Sequence, residues 1–147
     1  MLFRTSLRLA SALAVVHAVM HQIGMMQTPA DPTEAALTSS MRSFEMNVMG
    51  STRSYLDFYK GMGLFMTIML LCFAVVLWQV SSTQKQNREA TRPLLLTIGL
   101  AFLVVAAISI KYFFIAPVAM ELLMAVLVLV AFTSRRSNTS GRHRPWA

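Results

Sequence analysis

Ionisable side chains are rare inside long apolar runs. This sequence places His17 and His21 in one such run, Lys111 near the end of another and Glu121 early in a third. A carboxylate and an imidazole brought together can exchange protons as an acid/base pair or bind the polar part of a ligand. The segment Arg53-Ser54-Tyr55-Leu56-Asp57-Phe58-Tyr59-Lys60-Gly61-Met62-Gly63 is the densest cluster in the chain. Tyr55, Phe58 and Tyr59 suit the aromatic belt of a membrane interface. Arg53 and Asp57 can pair if both lie on a helix, and Gly61 and Gly63 permit close backbone approach. The candidate ligand-binding set is His17, His21, Arg53, Tyr55, Asp57, Tyr59, Lys111 and Glu121, with catalytic roles unassigned.

Other chemistries find no support. The single cysteine, Cys72, excludes a disulfide framework and quinone-linked disulfide exchange. No glycine-rich loop is present to cradle phosphate. Haem between helices needs axial ligands on opposite sides of the ring, whereas His17 and His21 share one face and His143 lies in the tail. Methionine is abundant, and thioether with imidazole would suit Cu(I), but no tight ligand motif specifies it. The methionines read instead as adaptable packing residues, or as the lining of a pocket for an irregular apolar ligand. No metal or cofactor is expected.

Composition names the elements that must position these groups. Of 147 residues, 56% are hydrophobic and 13% charged, about half the charge of an ordinary soluble domain. Roughly 18 apolar residues cross a bilayer as a helix. The expectation is an all-α integral membrane protein, a four-transmembrane-helix bundle over 1–133 with spans of about 9–26, 61–81, 93–113 and 117–133. Pro93 and Pro117 are placed in first helical turns. The start resembles a signal peptide, with a passable cleavage site at Val16-His17-Ala18. Its apolar stretch continues to Met26, so a retained first helix is expected.

Charge fixes the expected orientation. One side carries Arg4, Arg8, Lys85, Arg88, Arg92, Arg135, Arg136, Arg142 and Arg144 against one acid, Glu89. The other carries Arg42, Arg53, Lys60 and Lys111, balanced by Asp31, Glu34, Glu45 and Asp57. The positive-inside rule puts both termini in the cytoplasm and the loop 27–57 outside. The tail 134–147 reads as a disordered basic cytoplasmic segment, too sparse in arginine to indicate nucleic acid. In the outer loop, Asp31-Pro32-Thr33-Glu34 opens a helix, and Leu37, Met41, Phe44 and Val48 follow at helical spacing. That predicts a short amphipathic helix over about 33–48.

With this orientation, the candidate intramembrane ionisable groups fall in the outer half of the spans. On helix one, at about 100° per residue, His17 and His21 share a face with Ala10 and Ala18, while Val16, Val19 and Ile23 cover the lipid side. All eleven methionines after Met1 lie in the outer loop or in the outer half to middle of a span.

The Arg-Ser-Tyr-x-Asp-Phe-Tyr-x-Gly-x-Gly run, following a helix that carries His17 and His21, resembles a family of short, uncharacterised bacterial four-helix membrane proteins. The resemblance implies a four-helix fold in a bacterial cytoplasmic (inner) membrane and brings no catalytic residues. More loosely, the architecture is similar to the DoxX-like and sterol-isomerase-like (EXPERA) four-helix bundles, an analogy of fold alone. The leading functional expectation is an outward-facing pocket lined by methionines and aromatics and floored by His17, His21, Lys111 and Glu121. It would bind a lipid-like or small amphiphilic ligand. The alternatives are a membrane enzyme of acid/base isomerase type acting on such a ligand, and a structural or assembly subunit of a membrane complex. The expected partners are the lipid bilayer and such a ligand, with homo-oligomerisation open and no nucleic acid.

Overall fold

The computed structural model describes residues 1–83 and 87–134. Lys85, Arg135, Arg136, Arg142, His143, Arg144 and the tail assigned to 134–147, beyond Ser134 itself, lie outside the described residues. Five helices and one hairpin follow in order: α1 (Leu2–Met25), α2 (Pro32–Ser43), β1 (Glu45–Val48), β2 (Ser51–Ser54), α3 (Tyr55–Ser81), α4 (Arg88–Tyr112) and α5 (Ile115–Thr133). Four of them, α1, α3, α4 and α5, are long and apolar enough to cross a membrane. Their outward faces carry large apolar side chains in quantity, among them Leu64, Phe65, Val104, Ile110 and Val126.

Each long helix overruns the apolar stretch that marks it in the sequence. α1 starts at Leu2 and includes Arg4 and Arg8, and α4 starts at Arg88, five residues before Pro93. Pro93 therefore sits inside its helix rather than in the first turn, leaving the Glu89 carbonyl without its usual donor. Pro117 does fall in the first turn of α5. The arginines at these ends are accommodated by aromatic faces. Arg8 lies 4.9 Å from the centroid of Trp78, Arg88 4.3 Å from Phe3 and Arg92 4.8 Å from Phe132. Arg4 Nε donates to the Ser81 carbonyl at 3.2 Å.

Those contacts gather the start of α1, the end of α3, the start of α4 and the end of α5 at one end of the bundle, so successive long helices run antiparallel. α1 packs against both α3 and α5, and α4 packs on α5. This central place explains an inversion. The most apolar window of α1 has the lowest mean hydropathy of the four, 1.3 against 2.3 to 2.5, yet the largest buried share, 44%. Its inner face is built from Leu7 with Ala10, Ala14 and Ala18, and the small alanines let neighbouring helices approach closely. The core continues through Ala74 and Leu77 of α3, Leu95, Ile98 and Phe102 of α4, and Met124, Ala125 and Val128 of α5. Gly99 lets α4 settle on Leu129 and Val128 of α5.

The loop between α1 and α3 corrects one expectation. Asp31 caps α2 as expected, its Oδ1 accepting from Glu34 N–H at 2.9 Å. The helix stops at Ser43, however, and residues 45–54 form an antiparallel hairpin with Glu45 opposite Ser54 and Val48 opposite Ser51. Met49 and Gly50 make its two-residue turn with φ of 52° and 81°, the paired positive values that match the twist of a tight hairpin. Tyr55 N–H donates to the Phe44 carbonyl at 2.9 Å and extends the ladder by one pair.

Candidate functional site

The candidate residues separate into an interior polar layer and a groove on the outer face of α3. α1 presents two rows inward. Arg4, Ser11 and Met25 touch α3, through Ser81, Ala74 and Gly63 respectively. Phe3, Ala10 and His17 form a second row, about 80–100° round the helix, on the side of α4 and α5. His17 is only 8% exposed, and its Nδ1 has no hydrogen-bond partner among the described residues.

His21, one turn further on, is half-buried, and its Nδ1 lies 3.0 Å from Thr67 Oγ1 on α3. Thr67 Oγ1 is also 3.1 Å from Gln22 Oε1 and 3.2 Å from the Gly63 carbonyl. With its single proton given to one of those acceptors, the hydroxyl oxygen is left to accept from His21 Nδ1–H. Gly63 permits this approach, since a Cβ there would stand 2.8 Å from Met25 Sδ.

Glu121 occupies the inner face of α5. It is 6% exposed, its Oε2 has no hydrogen-bond partner among the described residues, and Ser109 of α4 is buried as well. Its depth matches that of His17. Ser11 Oγ donates to Ala74 O at 2.7 Å, and Phe73 meets Phe102 with ring centroids 5.3 Å apart, which defines one layer across α1, α3 and α4. His17 lies about 7–9 Å beyond that layer, at 1.5 Å per residue. The contact of Gly99 with Val128 and Leu129 sets Phe102 level with residues 125–126 of α5. Glu121 is then about 7 Å beyond the same layer, toward the same end. Lys111 does not join them. It is exposed, with its ammonium 5.1 Å from the centroid of its neighbour Tyr112.

Arg53 and Asp57 belong to the second place. They line one groove of about 500 Å³ with Phe58, Gly61, Met62, Phe65 and Met66, a single outward face of α3 and the strand entering it. Gly61 forms the dent, because a Cβ built there meets nothing within 4 Å. Met62 and Phe65 stand 73% and 66% exposed on its walls. The expected Arg53–Asp57 pair does not form, since Arg53 lies on β2 and Asp57 in the first turn of α3. Among the described residues the one salt bridge joins Arg92 to Glu89 at 3.4 Å.

Asp57 instead completes a capping box. Its Oδ2 accepts from Ser54 N–H at 2.9 Å and Oγ–H at 2.8 Å, while Asp57 N–H donates to Ser54 Oγ at 3.1 Å. Arg53 spends one donor on the Thr52 carbonyl at 2.7 Å. Tyr55 packs edge-on against Phe44, with centroids 6.5 Å apart, and Tyr59 is exposed outside the groove lining.

His17, His21, Lys111 and Glu121 thus do not floor the groove. Sequence reasoning passed over Thr67, Gln22 and Ser109 in the interior and Phe65 in the groove. Projecting Thr67 and Ser109 on a helical wheel would have put both on buried faces. No group of three or more His, Cys, Asp or Glu side chains able to hold a metal ion occurs among the described residues. No protein-family model, curated protein or solved structure matches the chain.

Proposed function

We propose that this chain is a multi-pass protein of a bacterial cytoplasmic (inner) membrane, with both termini in the cytoplasm, that holds a lipid-like amphiphile with an anionic head in the groove on α3. The groove itself carries the reading. It lies on a face of a candidate membrane span, its walls are methionine and phenylalanine, and a guanidinium with no carboxylate partner among the described residues stands at its mouth. A flexible acyl chain suits thioether and aromatic walls, and a phosphate or carboxylate head suits the planar fork of Arg53. Asp57 does not supply an acid/base group for chemistry on that ligand, because its carboxylate is committed to Ser54. That favours binding over isomerase-type catalysis. The gathering of Arg4, Arg8, Arg88 and Arg92 at one end supports the orientation, and the likeness to short bacterial four-helix membrane proteins belongs to the same proposal.

Native mass spectrometry of gently extracted protein, supplied with phosphatidylglycerol or phosphatidylcholine, tests the binding. The expected result is one retained phosphatidylglycerol, reduced several-fold by Arg53→Glu. Bare protein with both lipids, or equal uptake of both, contradicts it and returns weight to a purely structural subunit. In a Cys72→Ser background, an impermeant thiol reagent added outside is expected to label Ser40→Cys and not Asn87→Cys. The reverse pattern overturns the orientation.

A further inference from the structure

The interior layer is unexplained by the groove. Two ionisable side chains on packed helices, more than nine-tenths buried and about level in depth, each carry a buried atom with no hydrogen-bond partner among the described residues: Nδ1 of His17 and Oε2 of Glu121. An unpaired carboxylate in so apolar a place is costly, and buried polar atoms are seldom left unsatisfied. One proton answers both needs. Held on the carboxyl, it makes Glu121 a donor toward an imidazole nitrogen. Held on the imidazole, it makes His17 a donor toward the carboxylate. The two atoms do not bond each other in the structure, and a neutral imidazole already has one N–H that it can donate to a carboxylate; what the added proton removes is the charge of a carboxylate buried in an apolar place.

We propose that His17 and Glu121 form a proton-binding pair inside the bundle, connected to the end opposite the arginines through His21, Thr67 and Gln22. The hydrogen-bonded part of that route runs from His21, whose Nδ1 is 3.0 Å from Thr67 Oγ1, to Gln22, 3.1 Å from Thr67; His17 stands one turn from His21 on α1. Ionisable chains of this kind inside membranes serve as proton relays. The other titratable or charged groups on the elements around the pair are few. His21 shares α1, while α4 offers the exposed Lys111 beyond Ser109. α3 offers only Thr67 at this depth, with Asp57 and Lys60 exposed at its mouth.

Infrared difference spectroscopy of the full chain in phosphatidylcholine nanodiscs, titrated with pH, reads the pair directly. A protonated-carboxyl band that bleaches as pH rises is expected, lost in Glu121→Gln and displaced in frequency in Glu121→Asp. In His17→Phe the titration midpoint is expected to move by about one pH unit or more, a tenfold change in proton affinity. In His21→Phe, exchange of that proton for deuterium is expected to slow several-fold. A band that persists in Glu121→Gln, or a midpoint unmoved in His17→Phe, overturns the pair. An exchange rate unchanged in His21→Phe overturns the route. Should Glu121→Gln fail to fold, the frequency shift in Glu121→Asp decides the assignment alone.

Discussion

Asp57 and Glu121 are two carboxylates whose neighbours give them opposite work. Asp57 accepts two hydrogen bonds from Ser54 and returns one from its own N–H, which fixes the corner where β2 enters α3. Ser54→Ala is therefore expected to cost about 1 kcal/mol, the usual loss of a side-chain cap, read as a lower thermal midpoint in detergent. An unchanged midpoint would show that the hairpin alone holds the corner. Glu121 has no such escape, and it was visible in the sequence for that reason, as a charge in an apolar run. Lys111 was equally visible but faces outward, because its flexible four-carbon stem can carry the ammonium away from the interior. Thr67 went unnoticed because a hydroxyl on a helix is inexpensive, being able to bond the carbonyl four residues back, here Gly63. One-dimensional reading thus finds groups that are costly to bury and passes over those that are not.

At the scale of elements, the four long helices were legible because hydrophobic length is a property of sequence alone. Their ends were not. Charges taken as boundaries turned out to be helical residues lying over Phe3, Trp78 and Phe132, contacts made only once the bundle assembles. The hairpin was missed because Leu37, Met41, Phe44 and Val48 keep helical spacing straight through it, and Met-Gly is a weaker turn signal than Asn-Gly. The close approach of α1 to α3 at Gly63 makes a separable prediction. Gly63→Ala is expected to be nearly neutral, since the Met25 thioether can swing aside and alanine favours the helix by up to about 1 kcal/mol. Gly63→Leu fills the space of Met25 and is expected to cost about 1–3 kcal/mol as overpacking, measured by thermal unfolding. Equal stability of the two variants would mean that the helices are not seated on each other there.

Across the whole molecule, Arg4, Arg8, Arg88 and Arg92 gather at one end and the groove on α3 lies toward the other. The expectation of a methionine- and aromatic-lined pocket and the expectation of a buried His/Glu layer came from the same residues. The structure separates them because α3 turns Gly63 and Thr67 toward α1 and Met62, Phe65 and Met66 away from it. No sequence pattern states which of two apolar faces meets a neighbouring helix. The most direct test of the amphiphile site is photo-crosslinking in nanodiscs of phosphatidylglycerol and phosphatidylcholine. Benzoylphenylalanine replaces Phe65 in the groove or Leu122, an exposed side chain on α5 away from it. Adducts at position 65 are expected to be enriched in phosphatidylglycerol relative to the nanodisc, whereas those at position 122 should follow its bulk ratio. The same lipid ratio at both positions would contradict a specific site and leave the groove as ordinary lipid-facing surface.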